Sequence, residues 1–341
     1  MISYVALNDA ARSAPGQLTI AEVHLLANIL QPETSKRETD KTASSSNPLP
    51  LENDGNNGRS NAAVYAVFGN PIRHSLSPLL HNTAFRRLGI NGVYVPFCVQ
   101  DIAVAVSAIR ELGMKGVSVT LPFKSAVIPF LDRMDESALA IGAVNTIVNN
   151  NGELIGYNTD WSGAMAALTS LVNIAEKRIA ILGAGGTARA ICFGVKKYGA
   201  IPLIINRSAP RGEALAHEWG ISFYTSKEWR QVEADILINT TPMGMNPLAA
   251  ELPLPTEALS RFSVVMDIIY NPLETMLLRE AKKAGAQTIS GTEMFVQQGA
   301  QQIQLWTGKT VPLALLRSTV LAALTATEIT AGTVNPKKER R

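Results

Sequence analysis

The chain has 341 residues, 46% of them hydrophobic and 17% charged, with a formal net charge of +3. This balance excludes global disorder, and so small a positive surplus does not imply a nucleic-acid partner. No apolar run approaches the ~20 residues of a membrane span and no basic-then-apolar leader is apparent, so a cytoplasmic protein without a membrane partner is expected.

The length exceeds what one hydrophobic core usually fills, which predicts two domains. Tyr4-Val5-Ala6-Leu7 reads as a strand, followed by a Ser-Ala-Pro-Gly turn and a helix from about Ile20 to Leu30. Residues 31–61, rich in Ser, Asn, Thr and Pro, read as a flexible linker. From Val64 onward short buried strands alternate with helical patterns: Val64–Phe68, Val93–Phe97, Gly116–Val119, Arg178–Leu182, Leu203–Asn206, Ile236–Asn239 and Val264–Ile268. Ile102, Val106, Ile109 and Leu112 mark one of the intervening helices. Such alternation predicts mainly parallel sheets covered by helices. Met294 to about Leu324 is helical, follows no new strand, and is expected to pack back on the first domain.

Cys98 and Cys192 show no CxxC spacing and read as small buried hydrophobes in a reducing compartment. His74 and His81 find no third ligand type at a useful spacing, so no metal is expected. The basic run Lys337-Lys338-Glu339-Arg340-Arg341 reads as a solvated tail.

The strand Arg178–Leu182 runs directly into Gly183-Ala184-Gly185-Gly186-Thr187-Ala188 and then a helix. Glycines here permit a tight turn and let backbone approach a pyrophosphate at the helix N-terminus. Ala188 takes the last place of the usual fingerprint. The next strand ends in Asn206-Arg207-Ser208, with Arg211 beyond. A carboxylate there would accept from the ribose hydroxyls of NAD; two guanidiniums and a hydroxyl suit the 2′-phosphate of NADP instead.

Four more motifs follow one another: Gly69-Asn70-Pro71 with His74-Ser75-Leu76-Ser77-Pro78; Val119-Thr120-Leu121-Pro122-Phe123-Lys124; Gly142-Ala143-Val144-Asn145-Thr146; and Asn158-Thr159-Asp160. Singly each has a plain reading; Asn158-Thr159-Asp160 could simply cap a helix starting at Trp161. Together, with Thr240-Thr241-Pro242-Met243-Gly244-Met245, Asp267-Ile268-Ile269-Tyr270 and Met294-Phe295-Val296-Gln297-Gln298, they resemble the shikimate dehydrogenase family from Val64 to about Val320. The resemblance implies reversible NADPH-linked reduction of 3-dehydroshikimate to shikimate in aromatic biosynthesis, by an α/β protein acting as monomer or homodimer. The substrate domain would take residues 62–160 plus 291–328, and a Rossmann-type NADP domain residues 161–290, with a cleft between them.

Carried over position by position, Lys124 and Asp160 match the family's catalytic pair. Ser75 and Ser77 match hydroxyls that bind the substrate carboxylate; Thr120, Asn145, Tyr270 and Gln298 would hold the carboxylate and remaining ring hydroxyls. Glu136, Ile268 and Gly291 fall at cofactor-side positions, beside Gly183, Ala184, Gly185, Gly186, Thr187, Asn206, Arg207, Ser208 and Arg211.

Glu293 stands where many bacterial members carry a small residue, closer to the plant-type bifunctional enzymes. The front end agrees: Tyr4–Leu7 with Ser13-Ala14-Pro15-Gly16-Gln17 resembles the last strand, loop and helix of type I dehydroquinate dehydratase, a (β/α)₈ barrel. Ser13 and Gln17 fall on that family's substrate loop, but its catalytic Lys and His are absent, so residues 1–30 are expected to be an inactive remnant. A quinate/shikimate or aminoshikimate dehydrogenase of the same superfamily and a non-catalytic quinate-pathway regulator are the alternatives. Ser75, Ser77 and Arg207 favour shikimate and NADP over the first, and Lys124 with Asp160 argues against the second.

Overall fold

A computed structural model describes residues 5–6, 18–19 and 62–333, with side chains over 62–326. Two sheets divide the chain. The first has the order β2-β1-β4-β3-β5-β7-β8-β6, built from β1 (Val5–Ala6), β2 (Leu18–Thr19), β3 (Ala63–Gly69), β4 (Gly92–Cys98), β5 (Gly116–Val119), β6 (Arg133–Met134), β7 (Thr146–Asn150) and β8 (Glu153–Tyr157). Strands β3, β4 and β5 are parallel, whereas β7 runs antiparallel to both β5 and β8. The sheet is mainly parallel, as expected, with β7 as its antiparallel member. The cause is local: Asn151 and Gly152 both take positive φ, 52° and 102°, and such a pair turns a chain back in a two-residue hairpin.

The second sheet is wholly parallel, in the order β11-β10-β9-β12-β13-β14. Its strands are β9 (Arg178–Leu182), β10 (Ile201–Asn206), β11 (Ser222–Thr225), β12 (Ile236–Asn239), β13 (Val264–Asp267) and β14 (Gln287–Ile289). Ile179, Ala180, Ile181 and Leu182 of β9 are all buried, as a strand covered by helices on both faces requires. The strand order reverses between β9 and β12, and the carboxyl ends at such a reversal are where open α/β sheets take ligands.

The helices are α1 (Ser77–Leu88), α2 (Ile102–Glu111), α3 (Glu136–Ile141), α4 (Asp160–Thr169), α5 (Gly186–Lys197), α6 (Ala209–Trp219), α7 (Met276–Lys283), α8 (Gly291–Thr307) and α9 (Leu313–Thr333). The chain passes from the first sheet to the second through α4 and returns through α8. These two helices pack on each other so closely that a Cβ on Gly163 would lie 3.0 Å from Met294 O and Gln298 N. As expected, α8 and α9 lie back against the first half, in one apolar cluster with Leu80, Phe85 and Tyr94. Contrary to expectation, a strand, β14, does precede them, and the helical stretch breaks at Gly308, which caps α8 with φ +67°.

Cys192 is buried, and its thiol is pushed up to about 12 by desolvation. Cys98 is only half-buried, because it closes β4 at the end of the strand. The strand expected at Tyr4–Leu7 is found as β1, and it joins β4 through Val5 opposite Phe97. Next to it β2 pairs with β1, so these two short strands stand at the edge of the first sheet. Residues 31–61 and the helix expected over 20–30 lie outside the described residues, as do Ser13 and Gln17.

Candidate active site

The carboxyl ends of β3 and β5 meet at Gly69 and Thr120. A Cβ on Gly69 would lie 2.4 Å from Thr120 Cγ2, so a glycine is needed for the two chain segments to touch. Four residues past Thr120, Lys124 is largely buried, and its Nζ donates to Asp160 Oδ2 at 2.6 Å. It also donates across the interdomain cleft to Thr187 Oγ1 in the first turn of α5, at 3.0 Å.

Asp160 opens α4, but its carboxylate does not cap the helix. Oδ1 accepts from Asn145 Nδ2 at 2.9 Å and Oδ2 from Lys124. Asn145 is fixed in turn: its Oδ1 accepts from Thr159 N at 2.8 Å and Thr146 Oγ1 at 2.7 Å. Asn158 closes the turn by accepting from Asp160 N at 3.0 Å. The capping reading of Asn158-Thr159-Asp160 is thus half right. Asn158 serves the backbone, while Asp160 is turned into a buried ion pair.

Ser75, Ser77 and Tyr270 form a second cluster. Ser77 N donates to Ser75 Oγ at 3.2 Å, and Leu76 N donates to the Tyr270 hydroxyl at 3.4 Å. Tyr270 stacks on Phe295 with ring centroids 4.3 Å apart. The serine loop of the first half and the segment after β13 are thereby brought together. Gln298 lies buried on α8, its Nε2 donating back to Phe295 O at 2.9 Å.

On the second sheet, Gly183 follows β9 with φ +111°, and a Cβ there would meet Thr240 Oγ1 at 2.5 Å. Gly185 caps α5 in extended conformation with no side-chain cap, and the space a Cβ would take there is open. The first-turn N–H groups of α5 thus have no side-chain cap, the arrangement an anion site uses. Ala184 and Gly186 complete the turn, and a Cβ on Gly186 would lie 3.0 Å from Lys124 Cβ. Arg207, Ser208 and Arg211 stand at and just beyond the end of β10, with Arg207, Ser208 and Arg211 all exposed, and Asn206 Nδ2 donates to Ser208 O at 2.9 Å, shaping that loop. Uncapped donors at one end and exposed guanidiniums at the other fit a dinucleotide carrying an extra phosphate. Gly291 lies against Ile268, since a Cβ there would fall 2.2 Å from Ile268 O. Glu136 is not brought to this turn. It stands at the start of α3, and that helix meets α5 at its other end, where Arg189 Nε donates to Ile141 O at 2.8 Å.

Residues 67–147 match the model of the shikimate dehydrogenase substrate binding domain, and residues 291–321 that of the shikimate 5′-dehydrogenase C-terminal domain. The shikimate dehydrogenase (NADP(+)) of Geobacillus kaustophilus is 46% identical over 271 residues, 76% of this chain and 98% of that protein. The chain belongs to the shikimate dehydrogenase family. Among solved structures, a shikimate dehydrogenase in complex with NADP+ is 39% identical, with TM-score 0.73 over 78% of this chain and 97% of that one. The Thermus thermophilus enzyme, in complex with NADP(H) and shikimate, is 34% identical, with TM-score 0.71 over 77% of this chain and 100% of its own.

Several residues of this family member that shape the site escaped the sequence reading. Tyr94 OH donates to Ser118 Oγ at 2.7 Å, Ser118 donates to Gln302 Oε1 at 2.9 Å, and Gln302 Nε2 reaches Asn145 O at 3.2 Å. They stand on three elements with no motif in common, so spacing could not have found them. Glu293, by contrast, was noticed as a departure. It forms a two-bond ion pair with Arg317, at 2.6 and 2.8 Å, that ties α8 to α9. Among the described residues no group of three or more His, Cys, Asp or Glu side chains could hold a metal, and no helix is long and apolar enough to cross a membrane.

Proposed function

We propose that the chain is an NADP-dependent shikimate dehydrogenase, interconverting 3-dehydroshikimate and shikimate in aromatic biosynthesis. The observation that carries this reading is the Lys124–Asp160 pair at 2.6 Å, set beside the N-terminus of α5. NADP, when bound, supplies the hydride acceptor or donor. Gly183, Ala184, Gly185, Gly186 and Thr187 would hold its pyrophosphate, and Asn206, Arg207, Ser208 and Arg211 its 2′-phosphate.

Lys124 and Asp160 then manage the proton. An ammonium has three donors; Asp160 and Thr187 take two, and the third is left for the substrate oxygen. In oxidation Lys124 acts as the free amine: as a hydride leaves the ring carbon, the nitrogen lone pair takes the hydroxyl proton and the ammonium held by Asp160 forms. In reduction the pair returns it to the nascent alkoxide, whose charge the lysine stabilises. Ser75, Ser77 and Tyr270 would receive the substrate carboxylate, while Thr120, Asn145 and Gln298 hold ring hydroxyls. Ile268 and Gly291 would border the nicotinamide. Glu136 would act only from the start of α3, one helix away from the turn.

The domain division that goes with this assigns residues 62–160 and 291–328 to substrate and 161–290 to NADP. The finer reading of residues 1–30 as a dehydratase remnant rests on the Tyr4–Gln17 run alone. Steady-state rates with shikimate and quinate, each against NADP and NAD, test the proposal. Shikimate with NADP should give the highest kcat/KM. Preference for quinate would reassign the substrate, and no oxidation of either would refute the proposal.

A further inference from the structure

Asp267 ends β13 fully buried, and the partners of its carboxylate are neutral. Oδ1 accepts from Ile269 N and from Asn239 Nδ2, both at 3.1 Å, and Oδ2 accepts from Thr275 Oγ1 at 2.7 Å. Two donors come from opposite ends of the connection between β13 and α7, and the third from the neighbouring strand. Asn239 ends β12, and its own Oδ1 accepts from Thr241 N at 3.0 Å and Thr241 Oγ1 at 2.7 Å. Its Nδ2 also reaches Met243 O at 3.2 Å. Thr275 caps α7, accepting from Leu278 N at 3.4 Å. Ile269 lies between Ile268, against which Gly291 packs, and Tyr270, whose hydroxyl receives Leu76 N.

The end of β12 and the two ends of the connection from β13 to α7 thus converge on one carboxylate at the carboxyl edge of the second sheet. We propose that Asp267 is a positioning residue for the reaction: its ionised carboxylate sets the segment Ile268–Tyr270, and through it both the nicotinamide border and the tyrosine facing the serine loop. This rests on the function proposed above.

The chemistry explains why the ionised form is required. A carboxylate accepts from all three donors at once. When protonated, one oxygen becomes a donor itself, and the Thr275 hydroxyl must turn away. Burial raises the Asp267 carboxyl to about 6, against the opposing effect of its three hydrogen bonds. The titratable groups on the surrounding elements are Tyr270 and Glu274 in the segment after β13, and Arg279, Glu280, Lys282 and Lys283 on α7. Lys282 pairs with Glu274 and Lys283 with Glu280. At the start of α8, Glu293 pairs with Arg317. The strands β12 and β14 bring none.

The test uses the whole chain and reads equilibrium binding of shikimate and of NADP by calorimetry from pH 5 to 8, alongside kcat and KM. In the wild type, shikimate binding should weaken as pH falls through about 6. Asp267→Ala removes a hydrogen-bond acceptor that is charged, so shikimate should bind roughly tenfold to a hundredfold more weakly. Asp267→Asn should bind about threefold more weakly than wild type at pH 8, keeping two of three bonds, and should lose the wild-type change near pH 6. Wild-type affinities in Asp267→Ala, or an unchanged acid limb in Asp267→Asn, would overturn the proposal. Should the alanine variant not fold, the asparagine profile alone decides. A wild type inert towards shikimate would instead refute the proposed function.

Discussion

Lys124 and Thr187 meet across the cleft: the lysine, from the segment after β5, donates at 3.0 Å to a hydroxyl in the first turn of α5. The contact exists because residue 186 is glycine, since a Cβ there would stand 3.0 Å from the lysine stem. The same helix turn that would receive the cofactor therefore also orients the group that would handle the proton. Proximity of this kind is worth several orders of magnitude when the reacting groups are held in place.

Lys124→Ala should lower kcat by orders of magnitude while leaving NADP affinity near that of the wild type. Fluorescence titration with NADP, next to steady-state rates, separates the two. Full turnover in a folded Lys124→Ala protein would remove the lysine from the mechanism.

Cofactor choice should reside at the end of β10. Losing a charge-assisted contact costs roughly 1.5–3 kcal/mol, about tenfold to a hundredfold in affinity. Arg207→Ala should raise KM for NADP by that factor and leave KM for NAD nearly unchanged. Equal effects on both cofactors would mean that Arg207 does not contact the 2′-phosphate.

A stability signature should come from His81. It is fully buried, stacked on Tyr94 at 4.1 Å, with Nδ1 2.8 Å from Ser77 O. Burial lowers it to about 4, below its ordinary 6.5. Between those values the unfolded chain binds a proton that the folded one refuses. Its contribution is therefore complete above pH 6.5 and is lost as pH falls towards 4. The loss amounts to roughly 2–4 kcal/mol at the acid end. His81→Phe should flatten this part of the urea-unfolding profile. Both proteins share the opposing contribution of Asp267, which loses stability as pH rises towards 6, so the difference between them isolates His81. Parallel profiles would show that His81 does not carry the acid sensitivity.

Deleting residues 1–60 should leave shikimate turnover within about twofold and lower Tm by only a few degrees. The described pairing to β4 is one edge contact, Val5 opposite Phe97, in a sheet whose interior lies further in. Comparison of rates and melting curves checks this, and collapse of either would make the front end integral to the fold.

The buried strands were legible because each is a short apolar run bounded by turn residues. All seven expected from Val64 onward are present, and Gly116–Val119, Arg178–Leu182 and Ile236–Asn239 match at both ends. The strands that went unread are half-exposed or very short, such as Ser222–Thr225 and Arg133–Met134. The β7–β8 hairpin did carry a signal, the Asn151-Gly152 pair, but β7 ends in two asparagines and β8 opens on a glutamate and contains a glycine, which hid the strands. Within the site, Lys124 and Asp160 could be paired from motifs. Thr187 was read only as part of the glycine turn, because a contact across two domains leaves no trace in local spacing. Asp267 was seen as one letter of a motif, and its convergence of donors is a property of the sheet edge alone.

Gly163 has a consequence for recombination between relatives. The two passages of the chain between its halves touch there backbone to backbone, with Met294 O and Gln298 N at 3.0 Å from the place of a Cβ. No side chain exists at that point to take up a difference in spacing. A chimera whose junction separates residue 163 from residues 294–298 would join two helices tuned in different proteins. The mismatch would be felt between Lys124 and Thr187, whose own residues would be unaltered. Exchanging α4 and α8 as one block keeps the width of the cleft.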